Sequence, residues 1–249
     1  MLGSDESTSM TFWEGLLTQI ALRLSRHNMK NALVIGASGG IGRSVSDELR
    51  TRGYQVTGLS RSIDGLDVTD EGSVELHLER LDGPYSLIFV ATGALEPTGQ
   101  APEKAVREVT PEALRAAFDV NALGPMIVLK HCLRLLPKNE PSVFAALSAR
   151  VGSIGDNHIG GWHSYRASKT ALNQLIHGAS IELKRTHKLA TAVCLHPGTV
   201  ATSFTEKYAG RHKTVSATAA ATDLINVVEG LTPEQSGQFF DYSGKEVVW

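Results

Sequence analysis

Short apolar segments that alternate with helical patterns constrain this 249-residue chain more than any other feature of its sequence. Near-continuous apolar strands need cover on both faces, which a parallel sheet between two layers of helices provides. We therefore predict an α/β fold, a single-domain doubly wound parallel sheet with helices on both faces. The predicted strands are Ala32–Ile35, Gln55–Leu59, Ser86–Ala91, Val143–Leu147, Ala190–Leu195 and Gln238–Tyr242.

Helical spacing is clearest in Arg43–Arg52, Pro111–Leu136 and Ser164–His187. In doubly wound sheets, ligands bind beyond the carboxyl ends of the strands. We therefore expect the functional site at the edge that holds the residues following the predicted strands, which include Gly36, Ser60, Gly93, Ser148 and Pro197.

The first 29 residues are predicted to be an extension ahead of one domain that spans residues 30–249. Residues 1–9 are polar and expected to be disordered, whereas residues 12–24 carry an apolar stripe at helical spacing. That stripe needs cover from its own domain, from a second subunit or from a membrane surface. Its polar face is not strongly basic, which favours the first two.

Composition argues against several classes of partner. The net charge is -2 and no block of lysine and arginine stands out, so we expect no nucleic-acid partner. No run approaches the roughly 20 apolar residues of a membrane-spanning helix. The N-terminal residues lack a secretory-signal pattern, so we expect a cytoplasmic protein.

Cysteines and histidines give no sign of a metal site or a disulfide framework. Cys132 and Cys194 are far apart and form no CxxC pair, so we expect reduced, buried thiols. None of the nine histidines has metal-ligand spacing. We therefore predict no bound metal.

A glycine-rich turn follows the first predicted strand and precedes a helical pattern. Glycines at 36, 39, 40 and 42 permit close approach of a pyrophosphate, and a helix N-terminus offers it N–H groups and a positive dipole end. The alternative is a purely structural turn, because tight strand-to-helix connections need glycine for their geometry.

Tyr165 and Lys169 are four residues apart in a predicted helix and therefore share one face. An ammonium beside a phenol favours the phenolate, so a tyrosine with an ordinary pKa of about 10 can exchange protons closer to neutral pH. This spacing indicates a general acid/base pair, although a chance pairing is the alternative.

With these motifs in order, the chain resembles the short-chain dehydrogenase/reductase family from Lys30 to Trp249, with a Rossmann-like sheet. The resemblance implies that Tyr165 and Lys169 are catalytic and that Asn121 holds a water for proton relay. Within the family, the chain is most similar to the subgroup of sniffer-type carbonyl reductases and bacterial C-factor proteins. The cofactor-binding residues implied are Gly36, Ser38, Gly39, Gly40, Ile41, Gly42, Arg43, Arg61, Asp67, Val68, Ala91, Thr92, Gly93, Tyr165, Lys169, Pro197, Gly198, Val200 and Thr202.

Two positions depart from the family pattern. The NNAG motif is replaced by Val90–Gly93, which keeps only the glycine. Ala149 occupies the usual place of the catalytic serine, with Ser148 before it and Ser153 in the following loop. We predict Ser148 as the catalytic serine, provided that a bulge turns it inward; Ser153, a water or a purely structural Ser148 are the alternatives.

The function predicted from this resemblance is an NADP(H)-dependent oxidoreductase of the carbonyl reductase type, acting on a small carbonyl or alcohol substrate. NADP(H) is preferred over NAD(H) because no acidic residue ends the second strand, while Arg43 and Arg61 can meet a 2′-phosphate. The alternatives are a nucleotide-binding regulatory protein with little or no catalysis, and an epimerase or dehydratase. Family likeness also implies a homodimer or homotetramer built on the long helices. A mobile lid over the substrate is expected at residues 201–213, because Gly210 and its polar neighbours favour a mobile loop.

Overall fold

The computed structural model describes residues 30–202 and 214–249, so the predicted N-terminal helix and most of the predicted lid lie outside the described residues. The central sheet has six strands in the order β2-β1-β3-β4-β5-β8, and every neighbouring pair is parallel. A separate two-stranded pair joins β6 to β7. The strands are β1 Asn31–Ile35, β2 Gln55–Leu59, β3 Leu87–Val90, β4 Ser142–Leu147, β5 Ala190–His196, β6 Val200–Ala201, β7 Val215–Ser216 and β8 Phe239–Asp241.

Helices cover both faces of the sheet, as the sequence predicted. Two of the predicted long helices differ in detail from the pattern. The predicted helix over residues 111–136 is interrupted by a π-turn at Asp119–Leu123, and the predicted Ser164–His187 helix begins at His163. The α-helices are α1 Gly40–Thr51, α2 Arg61–Asp64, α3 Glu71–Glu79, α4 Pro111–Phe118, α5 Gly124–Cys132, α6 His163–Thr186 and α7 Ala217–Glu229.

Alternate residues of each central strand enter two separate core layers. In β4, Phe144 and Ala146 pack with α3, α5 and α6, whereas Ala145 and Leu147 pack with α1 and α7. This division follows from the two-residue period of a strand, which sends successive side chains to opposite faces. The layering confirms the predicted doubly wound sheet. It also determines on which face of the sheet the residue after each strand lies.

The order of the strands reverses between β1 and β3. The chain leaves β1 toward β2 and then crosses back to β3, so the loops after β1 and β3 separate and leave a crevice at the carboxyl edge. Gly36 opens the turn after β1 with φ +85, and a Cβ there would lie 3.0 Å from the carbonyl carbon of Ala91. A Cβ on Gly42 would lie 2.1 Å from the carbonyl oxygen of Gly36, so only glycine fits this close turn.

Candidate active site

Tyr165 and Lys169 lie in the first two turns of α6, beside the end of β4. Lys169 is 3% exposed, and its Nζ donates a hydrogen bond of 2.8 Å to the carbonyl oxygen of Leu147. The same Nζ is 6.0 Å from the centroid of the Tyr165 ring. The helical spacing predicted from the sequence therefore brings the two side chains together on one face.

Burial shifts both groups toward their neutral forms. Burial lowers the pKa of Lys169 to about 8 and raises the pKa of Tyr165 above its ordinary value. The Lys169 charge was expected to lower the pKa of Tyr165. Desolvation of Tyr165 opposes that effect. Because a pKa of about 8 leaves Lys169 mostly as the ammonium below that pH, its electrostatic support of a phenolate is strongest there.

Asn121 joins the loop after β3 to the helix that carries Tyr165. It is 0% exposed and lies in the π-turn, a feature often found at functional sites. Its Oδ1 accepts from the N–H of Ala94 at 2.8 Å, and its Nδ2 donates to the Ala94 oxygen and to Ser168 Oγ. Ser168 Oγ in turn donates to the carbonyl oxygen of Tyr165 at 2.9 Å. Ser168 was absent from the sequence prediction, although its spacing of three from Tyr165 could have revealed it.

Gly93 marks the point where these groups converge. A Cβ on Gly93 would lie 3.3 Å from Asn121 Oδ1 and 3.4 Å from Lys169 Nζ. The glycine that survives from the family motif therefore stands directly against two predicted catalytic side chains. A larger residue would push into both of them.

Ser148 reaches the α6 side of the sheet without a bulge. Its N–H continues the ladder to β5 by donating to the Leu195 oxygen at 2.8 Å, and its Oγ donates to Asn173 Oδ1 on α6 at 2.7 Å. The expected bulge is unnecessary because Phe144 and Ala146 already face α6, and residue 148 continues their alternation. The hydroxyl hydrogen of Ser148 is engaged by Asn173, which is two helical turns beyond Tyr165.

Ser153, the second serine predicted as a candidate, is held by the loop and the C-terminal tail. Its Oγ donates to the carbonyl oxygen of Val248 at 2.5 Å and accepts from the N–H of Asp156 at 3.1 Å. These contacts tie the loop after β4 to the chain terminus. They give Ser153 a structural role in that loop.

The crevice at the carboxyl edge has features that fit a dinucleotide. Gly36 keeps side-chain atoms away from the place where a pyrophosphate would approach the backbone. Thr92 Oγ1 is buried and, among the described residues, has no hydrogen-bond partner. An orphaned buried hydroxyl fits a ligand that completes its hydrogen bonding. Thr92 side-chain carbon Cγ2 would be 3.2 Å from a Cβ on Gly36, so the two features belong to one crevice.

The predicted contacts along this crevice are arranged around α1 and the start of α5. A Cβ on Gly40 would lie 2.7 Å from Thr202, so the last residue of the segment from Pro197 to Thr202 meets the glycine turn. Val68 packs where a Cβ on Gly124 would be, 2.8 Å away. Asp67 accepts hydrogen bonds from the backbone and hydroxyl of Thr69, which hold the pKa of its carboxyl below the ordinary value.

A cleft of about 290 Å³ lies beside the glycine turn, between α1 and the end of β2. Arg43 lines it and donates from Nη2 to the Ser38 carbonyl oxygen at 3.3 Å. Two further charged residues that the sequence did not single out also line it, Arg50 and Asp64. Asp64 Oδ2 accepts from the N–H of Ser60 at 2.7 Å. Arg61 is not among the lining residues; it lies close enough to Asp67 to help lower the pKa of that carboxyl.

Within the described ranges, residues 30–202 and 214–249, no three histidine, cysteine or acidic side chains lie together as a metal would require. No helix in these ranges combines the length and apolar character needed to cross a bilayer.

Known proteins match the chain over most of its length. A family model described as enoyl-(acyl carrier protein) reductase matches residues 36–238. The 1-hydroxy-2-glutathionyl-2-methyl-3-butene dehydrogenase of Rhodococcus sp. (strain AD45) is 32% identical over 238 residues, covering 89% of this chain and 100% of that protein. The C-signal protein of Myxococcus xanthus is 39% identical over 132 residues, covering 53% of this chain and 76% of that protein.

Solved structures share the fold at lower identity. The NADPH-bound carbonyl reductase from chicken fatty liver has a TM-score of 0.75 at 22% identity, covering 89% of this chain and 99% of that one. The carbonyl reductase Sniffer of D. melanogaster has a TM-score of 0.72 at 19% identity, covering 89% and 100%. The resemblance drawn from the sequence is thereby confirmed, and the chain belongs to the short-chain dehydrogenase/reductase family, a family of oxidoreductases.

Proposed function

We propose that this protein is an NADP(H)-dependent carbonyl reductase or alcohol dehydrogenase acting on a small-molecule substrate. The observation that carries this proposal is the meeting of Tyr165, Lys169 and Asn121 beside the glycine crevice. The names of the two structural neighbours, both carbonyl reductases, support the carbonyl as the reacting group.

Tyr165 is the proposed general acid for reduction and general base for oxidation. Bound NADPH supplies the hydride. As the carbonyl oxygen gains negative charge, the Tyr165 hydroxyl donates a proton to it. Burial raises the pKa of Tyr165 and so keeps the hydroxyl protonated before that step. Tyr165 and Lys169 are 8% and 3% exposed, so little of either side chain meets solvent.

Lys169 and Asn121 have supporting roles in this proposal. The Lys169 ammonium lowers the cost of a Tyr165 phenolate and can hold ribose hydroxyls of the nicotinamide half, as the family resemblance implies. Asn121 fixes the loop after β3 against α6 through Ala94 and Ser168. From there it would support the water relay that the family resemblance implies. Gly93 leaves the space in which these groups meet.

Ser148 stays the proposed orienting hydroxyl for the substrate oxygen. Its contact with Asn173 sets a condition on this role. The hydroxyl hydrogen must leave Asn173 Oδ1 for the substrate when the site is filled. Asn173 would then keep its own contact with the Gly152 carbonyl oxygen, which it makes from Nδ2 at 3.4 Å.

We propose that the glycine turn and its neighbours bind the cofactor. The crevice residues Ser38, Gly39, Ile41 and Gly42 would meet the pyrophosphate, whereas Ala91, Thr92 and Val68 would flank the adenosine half. The nicotinamide half would lie toward the segment that includes Pro197, Gly198, Val200 and Thr202. Support comes from two close approaches: a Cβ on Gly40 would meet Thr202, and a Cβ on Gly36 would meet Ala91 and Thr92.

The preference for NADP(H) over NAD(H) is part of the proposal. Arg43 lines the cleft where a 2′-phosphate would lie, and Arg50 adds a second cation there. Arg61 would act from the rim of the cleft. Asp64 opposes the preference, because a carboxylate repels phosphate, but two arginines line the same cleft and charge-assisted contacts favour the phosphate.

We also propose a cytoplasmic homodimer or homotetramer, with the α4–α5 and α6 helices at the subunit interface. Ile181 on α6 supports this placement, because a large apolar side chain there is 53% exposed in the single chain. A molar mass of one chain in light scattering at micromolar concentration would refute the assembly.

The test of the proposed function is an assay of NADPH consumption with a panel of aldehydes and ketones, run beside Tyr165→Phe. A glutathione-conjugated alcohol with NADP⁺ belongs in the panel, because the Rhodococcus relative is named for such a substrate. Turnover that Tyr165→Phe abolishes would support the proposal. NADPH binding without turnover on any substrate would instead favour a nucleotide-binding regulatory protein.

A further inference from the structure

Helix α6, which carries Tyr165, begins without a cap from its own sequence. Its N-cap residue, Trp162, makes no side-chain cap and has left-handed backbone angles, φ 50 and ψ 41. Gly160 and Gly161 before it also have positive φ values of 69 and 67. No acidic residue lies in the first turn. Such a helix start is strained and depends on contacts from elsewhere in the fold.

Glu103 supplies those contacts from 61 residues earlier in the sequence. Its carboxylate accepts hydrogen bonds from the N–H of Ser164, at 3.2 Å, and from the Ser164 hydroxyl. Its backbone oxygen accepts from the N–H of Trp162 at 2.5 Å. Glu103 thus contacts Trp162 and Ser164, the two neighbours of the first residue of α6.

The Glu103 side chain is only 6% exposed, which makes its position costly unless it is satisfied. Burial alone would raise the pKa of this carboxyl, but the hydrogen bonds from Ser164 and the backbone outweigh burial and lower it. A carboxylate is also favoured at the positive end of a helix dipole. The negative charge of Glu103 therefore complements the positive end of the α6 dipole.

We propose that Glu103 is a positioning residue that fixes the first turn of α6 and so sets the Tyr165 hydroxyl against the substrate oxygen. Tyr165 directly follows Ser164, so a shift of the first turn moves the tyrosine with it. The loop that carries Glu103 is fastened at its other end to Asn121 through Ala94. Both ends of this loop are thus tied to proposed catalytic elements. This inference rests on the proposed function.

The test compares Glu103→Ala, Glu103→Gln and the control Asp70→Ala. Asp70 is also a carboxylate cap, accepting from the N–H of Gly72 at 3.0 Å, but it begins α3 rather than the catalytic helix. Misplacement of a reacting group by about 1 Å can cost on the order of a hundredfold. We expect Glu103→Ala to lower kcat by roughly 10- to 100-fold with the NADPH dissociation constant within about twofold of wild type.

Glu103→Gln should recover most of that loss. The glutamine oxygen can accept from the Ser164 N–H while its amide donates to the Ser164 hydroxyl, so position is kept and charge is removed. Asp70→Ala should leave kcat unchanged. A folded Glu103→Ala enzyme with wild-type kcat, or an equal loss of kcat in Asp70→Ala, would overturn the positioning role.

Hydrogen exchange gives a reading that does not depend on turnover. Mass spectrometry of the peptide spanning residues 160–170 should show at least about tenfold faster amide exchange in Glu103→Ala than in wild type, and near wild-type exchange in Glu103→Gln and Asp70→Ala. Unchanged exchange in Glu103→Ala would overturn the inference. An inactive wild-type protein with this exchange pattern would refute the proposed function while showing that Glu103 fixes the helix start.

Discussion

The starts of α1 and α6 differ in what meets the unpaired N–H groups of the first helical turn. Both helices begin at the carboxyl edge, and neither has an acidic residue in its first turn or a side-chain cap from its N-cap residue. At α1 the chain uses glycines, which leave a close backbone turn suited to a bound anion. At α6 the protein's own Glu103 carboxylate takes the equivalent position.

Under the proposed function, this difference assigns cofactor binding to the start of α1 and proton transfer to the start of α6. A helix start built from backbone N–H groups can receive a phosphate, whereas one already occupied by a carboxylate is fixed in place and can hold a reacting side chain steady. We therefore expect changes at α1 to act mainly on cofactor affinity and changes at α6 to act mainly on turnover.

The largest effect should come from Tyr165→Phe at the start of α6. The change removes the proton donor but keeps the ring packing, so we expect kcat to fall by roughly 10²- to 10⁴-fold. The NADPH dissociation constant, measured by fluorescence titration, should stay within about twofold of wild type. Wild-type turnover in this variant would show that another group is the acid.

Ser148→Ala should follow, with a loss of roughly a hundredfold in kcat if the hydroxyl orients the substrate oxygen. Asn173→Ala is the matched control, because it removes the partner of Ser148 and leaves the hydroxyl in place. We expect it to lower thermal stability while retaining more activity than Ser148→Ala. Activity close to wild type in Ser148→Ala would reduce the catalytic set to Tyr165, Lys169 and Asn121.

At the start of α1, Gly42→Ala should weaken NADPH binding by about tenfold or more. The new Cβ would lie 2.1 Å from the Gly36 oxygen, so the turn must open, at a cost of about 1–3 kcal/mol in folding free energy. Gly178→Ala is the control. Gly178 lies within α6 with open space around it, and alanine there should stabilise the helix by about 0.5–1 kcal/mol. Unchanged cofactor affinity in Gly42→Ala would break the assignment of α1 to binding.

The smallest effect concerns which cofactor α1 selects. Arg43→Ala should lower the ratio of catalytic efficiencies with NADPH and NADH by about tenfold, because it removes a charge-assisted contact. Asp64→Asn should raise the same ratio, since it removes a negative charge from the cleft. Steady-state kinetics with both cofactors measure these ratios. A ratio unaffected by either change would place the selecting residues elsewhere.

Patterns local in sequence determined much of this protein. The alternation of apolar strands with helices predicted the doubly wound sheet, because strand and helix periods are set by neighbouring residues. The glycine turn and the spacing of Tyr165 and Lys169 likewise needed only local geometry. The predicted helix over residues 111–136 is interrupted by a π-turn, but helical residues still cover nearly all of that range.

Only the tertiary structure decided the contacts between distant segments. The side of the sheet that Ser148 faces depends on strand alternation from Phe144 onward and on α6 packing above it, which is why the expected bulge proved unnecessary. The presence of Arg50 and Asp64 in the lining of one cleft depends on how α1 lies against the end of β2. Glu103 capping α6 is the extreme case, because a hydrogen bond between residues 61 positions apart leaves no periodic trace in the sequence.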